Sequence, residues 1–216
     1  MRQLALDITR PPAPAFGNFV VGRNAEAIAH LRSAIAGSGE RFVYLWGEPG
    51  CGRTHLLKAA AAGANATYIA CETTSRFDDA APLLAADDVE RLDADAQVAL
   101  FTRYNALRER GGGLIASGSV PPVQLKLRAD LLTRLGWGLV VQVHALSDEE
   151  KAQALAQHAQ ARGFTLPGEV IAYLLSHAPR DMGALFATLD ALDRHSLETK
   201  RAVTVPLVRE WLLSKT

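Results

Sequence analysis

The sequence predicts an α/β domain built on a parallel β-sheet, followed by a smaller unit made only of helices. Five short apolar runs, typical of strands buried on both faces, occur between residues 42 and 141. Helical periodicity fills several of the intervals between them. After residue 145 the strand-like runs stop and amphipathic helices follow one another. This rhythm is typical of a doubly wound sheet with helices on its faces.

Composition and charge exclude several classes of protein. The chain has 216 residues, enough for one α/β domain and a smaller unit. Its 23 basic and 23 acidic residues cancel, so we do not expect autonomous, charge-driven DNA binding. Cys51 and Cys71 form no disulfide framework and indicate a reducing compartment. With no membrane-length apolar run and no signal-peptide pattern, we expect a cytoplasmic protein without a membrane partner.

The predicted elements divide the chain into three parts. Residues 1–15 are predicted to be a tail, because three prolines prevent regular structure there. Residues 16–145 are predicted to form the α/β domain, and residues 146–216 the helical unit. The predicted strands are 42–46, 68–71, 83–86, 114–116 and 139–141. Helices are predicted over 24–35, with Asn24 as N-cap, near 53–62, 95–110 and 125–134, and four times after Ser147, which opens a capping box.

The strongest motif is the segment GEPGCGRT, residues 47–54, between a predicted strand and a predicted helix. This is the context of a phosphate-binding loop, in which glycines let backbone N–H groups converge on phosphate oxygens at a helix N-terminus. Arg53 stands where the pattern has lysine, and its larger planar fork suits a β-phosphate better than a γ-phosphate. A ligand-free glycine-rich turn is the alternative. The predicted nucleotide-binding residues here are Gly47, Pro49, Gly50, Cys51, Gly52, Arg53, Thr54 and His55.

Polar residues at the ends of the next two strands could complete such a site. Asp87 follows an apolar run, which is how a Mg²⁺-binding carboxylate is delivered, and Thr54 is the expected second ligand. Asp88 could orient an attacking water. Ser117 could sense the γ-phosphate or that water. The alternative for both acids is a simple turn, and for Ser117 an ordinary strand end.

Two further segments could serve partners. Arg134 precedes a Gly-Trp-Gly turn, and an exposed arginine there could enter a neighbour's nucleotide site and stabilise phosphoryl-transfer charge. The alternative is a solvated arginine at a helix end. Gln3, Leu4 and Leu6, ahead of the prolines, have the pattern of an extended docking peptide. A frayed terminus is the alternative there.

Together these segments resemble the AAA+ module of the DnaA family of bacterial replication initiators. FGNFVVGRN, residues 16–24, is similar to that family's adenine-side segment and adds Val20 and Val21 to the predicted nucleotide site. THLL, residues 54–57, resembles the helix after its phosphate loop, and RLGWGL, residues 134–139, its arginine-finger segment. The resemblance begins near residue 16. The initiators' C-terminal DNA-binding helices have no counterpart before Thr216.

The combination of a short clamp-binding peptide with a DnaA-like AAA+ module is similar to the Hda family of DnaA inactivators. Residues 146–151, 162–167 and 185–194 also resemble that family, and the arginine at position 53 is consistent with it. The resemblance implies an AAA+ P-loop core with a five-stranded parallel sheet and a small helical lid domain. It also implies that Arg180 contacts the nucleotide.

The function that the resemblance implies is negative regulation of the initiation of chromosomal replication. Gln3, Leu4 and Leu6 would dock on the sliding clamp, the β subunit of DNA polymerase III, so that DNA is contacted only through the clamp. ADP or ATP with Mg²⁺ would be the cofactor. Arg134 would act in trans to stimulate hydrolysis of DnaA-bound ATP, and the chain's own hydrolysis would be weak or absent. Homo-oligomers are also conceivable.

Two other functions stay open at this stage. One is a self-sufficient AAA+ ATPase acting as a helicase-loading or transposition helper, which Thr54, Asp87 and Asp88 would permit. Arg53 and the neutral net charge count against it. The other is an inert scaffold that only tethers a partner to the clamp.

Overall fold

The described residues form two compact units. The computed structural model describes residues 12–64, 66–77, 80–179 and 181–214. One unit spans Pro14–Ser147 and the other begins at Asp148. None of the helices in these ranges is long and apolar enough to cross a bilayer.

A five-stranded, all-parallel sheet organises the first unit. The strands are β1 Phe42–Trp46, β2 Ala66–Ala70, β3 Leu83–Asp87, β4 Gly113–Gly118 and β5 Leu139–Gln142, and their order in the sheet is β2-β3-β4-β1-β5. Because every strand points the same way, the segments that follow β1, β3 and β4 emerge at one edge of the sheet. The predicted α/β class with a five-stranded parallel sheet is confirmed.

Helices cover both faces of this sheet, which explains why its strands are apolar without alternation. The helices are α1 Ala25–Ala36, α2 Arg53–Ala62, α3 Ala94–Glu109 and α4 Ala129–Leu135. Neighbouring residues of β1 enter different cores. Leu45 packs in the cluster that contains Leu31 of α1 and Leu57 of α2, whereas Tyr44 packs in the cluster that contains Leu100 of α3 and Leu131 of α4.

Two local expectations were wrong. The helix predicted near 125–134 begins only at Ala129, because Pro122–Gln124 forms a separate 3₁₀ turn. Asn24 precedes α1 as expected but makes no side-chain capping bond. Its Oδ1 instead accepts from the His144 N–H at 2.7 Å, and its Nδ2 donates to the His144 carbonyl at 2.9 Å. Asn24 therefore fastens the start of α1 to the chain beyond β5.

The second unit contains four helices among its described residues: α5 Asp148–Ala161, α6 Gly168–His177, α7 Met182–Thr199 and α8 Val205–Leu213. They enclose a core that includes Leu155, Val170, Leu174, Leu189 and Val208, all fully buried. At the surface α5 is joined to α7 by a hydrogen bond between His158 and Asp190 at 2.7 Å and by an ion pair between Arg162 and Asp190 at 3.2 Å. Each helix buries one stripe, as the apolar periodicity predicts.

Two leucines on α7 give a matched test of this packing. Leu189 is 0% exposed and Leu197 is 71% exposed. We expect Leu189→Ala to lower the free energy of unfolding by about 2–5 kcal/mol, because it removes buried methyl groups and leaves a cavity. Leu197→Ala should change it by less than about 0.5 kcal/mol. Urea titrations followed by circular dichroism measure both, and equal effects would contradict the packing described.

Candidate nucleotide site

The loop between β1 and α2 requires glycine at three points. Gly50 and Gly52 adopt left-handed backbone angles, with φ of +81° and +103°, which side chains disfavour. A Cβ on Gly52 would lie 2.6 Å from the Phe19 ring, and one on Gly47 would lie 2.2 Å from the Val143 carbonyl oxygen. The loop is therefore fitted against both the residues before α1 and the chain leaving β5.

The remaining loop residues differ in their exposure to solvent. Pro49 is exposed, whereas Cys51 is 6% exposed and its N–H donates to the Glu48 carbonyl at 3.2 Å. Burial raises the pKa of the Cys51 thiol, so the side chain is a neutral packing group at physiological pH. Thr54 is exposed at the start of α2.

The start of α2 has the features of an anion site. Its N-cap is Gly52, and no side chain caps the helix, so its first N–H groups and the positive end of its dipole can act on a ligand. Arg53 adds a full positive charge. Its side chain is 11% exposed, and its Nη1 is buried without a hydrogen-bond partner in the described part of the chain. A phosphate oxygen would satisfy these donors.

The segment before α1 lies against this loop. The Phe19 ring lies 5.4 Å from the His55 ring, centroid to centroid, and His55 Nε2 lies 2.9 Å from the Ala15 carbonyl oxygen. Val20, half-buried, and Val21, 41% exposed, follow Phe19 directly. The structure thus brings Phe19 and His55 together at the glycine loop, and Val20 and Val21 are the next two residues along the chain.

Asp87 and Ser117 meet at the same edge of the sheet. Asp87 ends β3 and is 3% exposed. One of its oxygens accepts from the Ser117 hydroxyl, and the other accepts from the Tyr68 hydroxyl at 2.8 Å. Ser117 in turn accepts from the Asp88 N–H at 3.0 Å. The Ser117 hydroxyl therefore orients the two acids, a role that its strand position alone did not indicate.

Asp88 occupies a strained position beside Arg53. Its φ is +55°, in the left-handed region, and its Oδ1 lies 3.5 Å from Arg53 Nη2. Burial and the neighbouring Asp87 raise the pKa of the Asp88 carboxyl, and Arg53 opposes that shift. The acid that the sequence assigned to an attacking water is thus held against the arginine of the glycine loop.

Three side chains at this edge were missed from the sequence. Tyr68 binds Asp87, and Tyr44 donates to the Val120 carbonyl at 2.9 Å. Glu90 accepts from the Ser119 N–H at 2.8 Å, and its second oxygen is buried without a partner among the described residues. The sequence did give an indication for the two tyrosines, because a tyrosine hydroxyl in a buried strand needs a hydrogen-bond partner. Glu90 lies in a 3₁₀ turn and had no such indication.

The predicted Mg²⁺ ligands can be tested against this geometry. Both oxygens of Asp87 already accept hydrogen bonds from hydroxyl groups, and the guanidinium of Arg53 lies beside the neighbouring Asp88. Mg²⁺ requires near-octahedral oxygen ligation at about 2.0–2.1 Å and dehydrates reluctantly. Within the described ranges, no group of three or more His, Cys, Asp or Glu side chains could hold a metal ion. The described side chains thus form no complete Mg²⁺ site by themselves, and an ion at Thr54 and Asp87 would depend on waters and on the phosphates of the ligand.

Arg134 lies far from this site, at the opposite edge of the sheet. Its guanidinium carbon lies 4.0 Å from the Trp137 ring centroid, and its Nε donates to Asn105 Oδ1 at 3.1 Å. Arg108 stacks on the same indole at 5.3 Å and on Phe42, the first residue of β1, at 5.8 Å. The glycine loop follows the last residue of β1. Arg134 is therefore half-buried, packed against the Trp137 ring, and remote from the glycine loop of its own chain.

Four predicted residues lie outside the described ranges. They are Gln3, Leu4 and Leu6 of the tail, and Arg180.

Comparisons with known proteins agree with this architecture. Residues 148–212 match the family model described as Hda, lid domain. Domain III of the Thermotoga maritima replication initiation protein DnaA superposes with a TM-score of 0.72 at 21% identity, covering 93% of this chain and 96% of that one. AMPPCP-bound DnaA from Aquifex aeolicus gives 0.69 at 23%, covering 87% and 67%. The Thermotoga maritima RuvB branch migration motor gives 0.64 at 15%, covering 93% and 71%. The predicted AAA+ core with a helical lid domain is confirmed.

The raised pKa of Asp88 yields a prediction with a defined sign. At neutral pH Asp88 is ionised, and its raised pKa means that the folded state disfavours this charged form. Asp88→Asn removes the charge and should therefore raise the melting temperature. Asparagine also tolerates the left-handed backbone angles at this position. The gain should shrink as pH falls through the raised pKa and vanish below about 3, where aspartate is protonated in both states. Melting curves at several pH values measure it.

Asp130 supplies a control of opposite sign. A hydrogen bond from Arg128 lowers the pKa of the Asp130 carboxyl, so its charged form supports the fold above its ordinary pKa and that support is lost in acid. Asp130→Asn should therefore lower the melting temperature slightly at pH 7. Melting temperatures that fell equally in both variants would contradict the electrostatics described.

Proposed function

We propose that this chain, whose residues 148–212 match the Hda lid domain and whose fold is similar to that of DnaA domain III, is a regulatory inactivator of the replication initiator DnaA. In this proposal it holds a nucleotide at the glycine loop and docks on the sliding clamp loaded on DNA. It then stimulates hydrolysis of the ATP bound to DnaA. The result is negative regulation of the initiation of replication.

The observation that carries the proposal is the position of Arg134. Strand β1 separates it from its own glycine loop, since Phe42 and the Arg108–Trp137–Arg134 stack lie at the start of the strand and Gly47 at its end. Five residues of strand span about 13–16 Å. Arg134 is thus unsuited to this chain's own phosphate site and suited to a neighbour's. There a guanidinium would stabilise the charge that develops during phosphoryl transfer.

The surroundings of Arg134 suit a positioned finger. Trp137, 55% exposed, and Phe101 lie 4.0 Å and 5.5 Å from the guanidinium carbon, and Asn105 engages Nε. No carboxylate of the described residues pairs with Arg134. Cation–π contacts and one neutral hydrogen bond orient the group while its charge stays uncompensated.

The nucleotide proposed for the chain's own loop is ADP. The Aquifex aeolicus DnaA of similar fold was solved with AMPPCP, which supports nucleotide binding by the shared architecture. In this chain Arg53 replaces the lysine of the usual pattern, and the arginine is already drawn toward Asp88. A guanidinium in that position can grip a β-phosphate but is poorly placed for a γ-phosphate. Weak or absent ATP hydrolysis by the chain alone follows from this.

The clamp partner rests on the sequence of the tail. Gln3, Leu4 and Leu6 provide a polar anchor and two spaced apolar side chains, the pattern of an extended peptide bound in pockets. Pro11, Pro12 and Pro14 follow and favour an extended linker. Docking on the clamp would concentrate the chain on replicated DNA without a basic surface of its own.

A self-sufficient ATPase is the second candidate, favoured by the meeting of Asp87 and Asp88 at the glycine loop. Hydrolysis of DnaA-bound ATP, with clamp loaded on DNA and each component omitted in turn, separates the two. The inactivator needs all components. An independent ATPase would turn over ATP alone and leave DnaA-bound ATP untouched.

We expect Arg134→Ala to retain clamp and nucleotide binding but to lose stimulation of DnaA. The loss would be about 10³-fold if Arg134 behaves like well-studied arginine fingers. Arg128→Ala is the matched control. Arg128 is an exposed arginine next to the same helix, and it pairs with Asp130. The rate of ATP hydrolysis on DnaA is the measurement. A loss under about tenfold would assign Arg134 a structural role.

We expect Gln3→Ala to abolish clamp binding and leave ADP affinity unchanged, because the tail lies outside the nucleotide loop in sequence. Gln160→Ala, at an exposed position of α5, is the control. Surface plasmon resonance on immobilised clamp measures the first property, and fluorescent ADP titration the second. Unchanged clamp affinity in the Gln3 variant would remove the clamp from the proposal.

A further inference from the structure

The glycine loop contains its own fixed cation. Arg53 opens α2, its side chain is 11% exposed, and its Nη2 lies 3.5 Å from Asp88 Oδ1. Its Nη1 is buried and has no hydrogen-bond partner in the described part of the chain. One arm of the guanidinium is therefore directed to an acid of the site, and the other still lacks an acceptor. An arginine keeps its charge under all physiological conditions.

The acids around this arginine are already compensated in ways that do not use a metal. Asp87 accepts from Ser117 and Tyr68, one bond to each oxygen. Asp88 has Arg53 beside it and receives no other cation among the recorded ion pairs of the described residues. A divalent ion at this point would compete with two hydroxyl donors for the Asp87 carboxylate and would be repelled by the guanidinium.

We propose that the loop binds a nucleoside diphosphate without a divalent cation, with Arg53 as the permanent counter-cation that bridges Asp88 and the β-phosphate. This rests on the nucleotide binding proposed above and adds how the phosphate charge is neutralised. The free Nη1 and the uncapped N–H groups of α2 supply the donors. A guanidinium can serve two acceptors at once because its donors form a planar fork. A lysine ammonium, on a flexible stem, lacks that geometry.

The test compares affinity for ADP, by titration with fluorescent ADP and by calorimetry, in excess MgCl₂ and in excess EDTA. For the native chain we expect the two dissociation constants to agree within about threefold, a difference of RT ln 3. Weakening by about tenfold or more in EDTA would overturn the inference. That outcome would leave the proposed nucleotide binding intact.

Two variants sharpen the test. Arg53→Lys keeps the charge but not the fork, so its ADP affinity should fall by about tenfold or more in EDTA and recover with MgCl₂. Arg53→Ala should bind ADP weakly in both buffers. An Arg53→Lys variant as indifferent to EDTA as the native chain would overturn the bridging role. Absence of ADP binding by the native chain in either buffer would overturn this inference together with the ADP part of the proposed function. Circular dichroism verifies folding of each variant.

Discussion

The buried carboxylate of Asp87 is the constraint on which the site depends. Removing a charge from water is costly unless hydrogen bonds replace the lost solvation, and here two hydroxyls, from Tyr68 on β2 and Ser117 on β4, provide them. Each donor comes from a strand that flanks β3. Ser117 also accepts from the Asp88 N–H. One buried side chain thereby joins three neighbouring strands and sets Asp88 where Arg53 can reach it.

The fold was largely predictable because buried parallel strands are apolar on both faces. β1 matched its prediction residue for residue, and β3 and β4 differed only at their ends. The errors have tertiary causes. Asn24 has the side chain of an N-cap, yet His144, 120 positions along the chain, offers it two backbone hydrogen bonds. No local pattern contains that partner.

The parts of the site that lie in one continuous segment could be predicted from the sequence. The parts that combine residues from separate strands could not. The glycine loop is one continuous segment, so its residues could be identified together from spacing. The partners of Asp87 come from strands on either side of it, and only the sheet order makes Tyr68 its neighbour. Glu90 can be recognised as part of the site only when the position of β4 is known, because it accepts a hydrogen bond from the N–H of Ser119, which follows that strand. Arg134 could be singled out from its place before the Gly-Trp-Gly turn, but the structure makes it half-buried rather than exposed, and its separation from the loop follows only once β1 is in place.

The separation of Arg134 from the glycine loop gives the molecule a direction. A contact that joins the arginine edge of one molecule to the loop edge of the next is heterologous, so each member contributes a different surface. Such contacts among identical subunits continue until a ring closes or a filament grows. Between two different proteins a single such contact forms and the assembly stops there, because each protein contributes only one of its two surfaces. In the proposed function, the strand direction of a single sheet thus decides which member of a mixed pair supplies the arginine and which has its nucleotide hydrolysed.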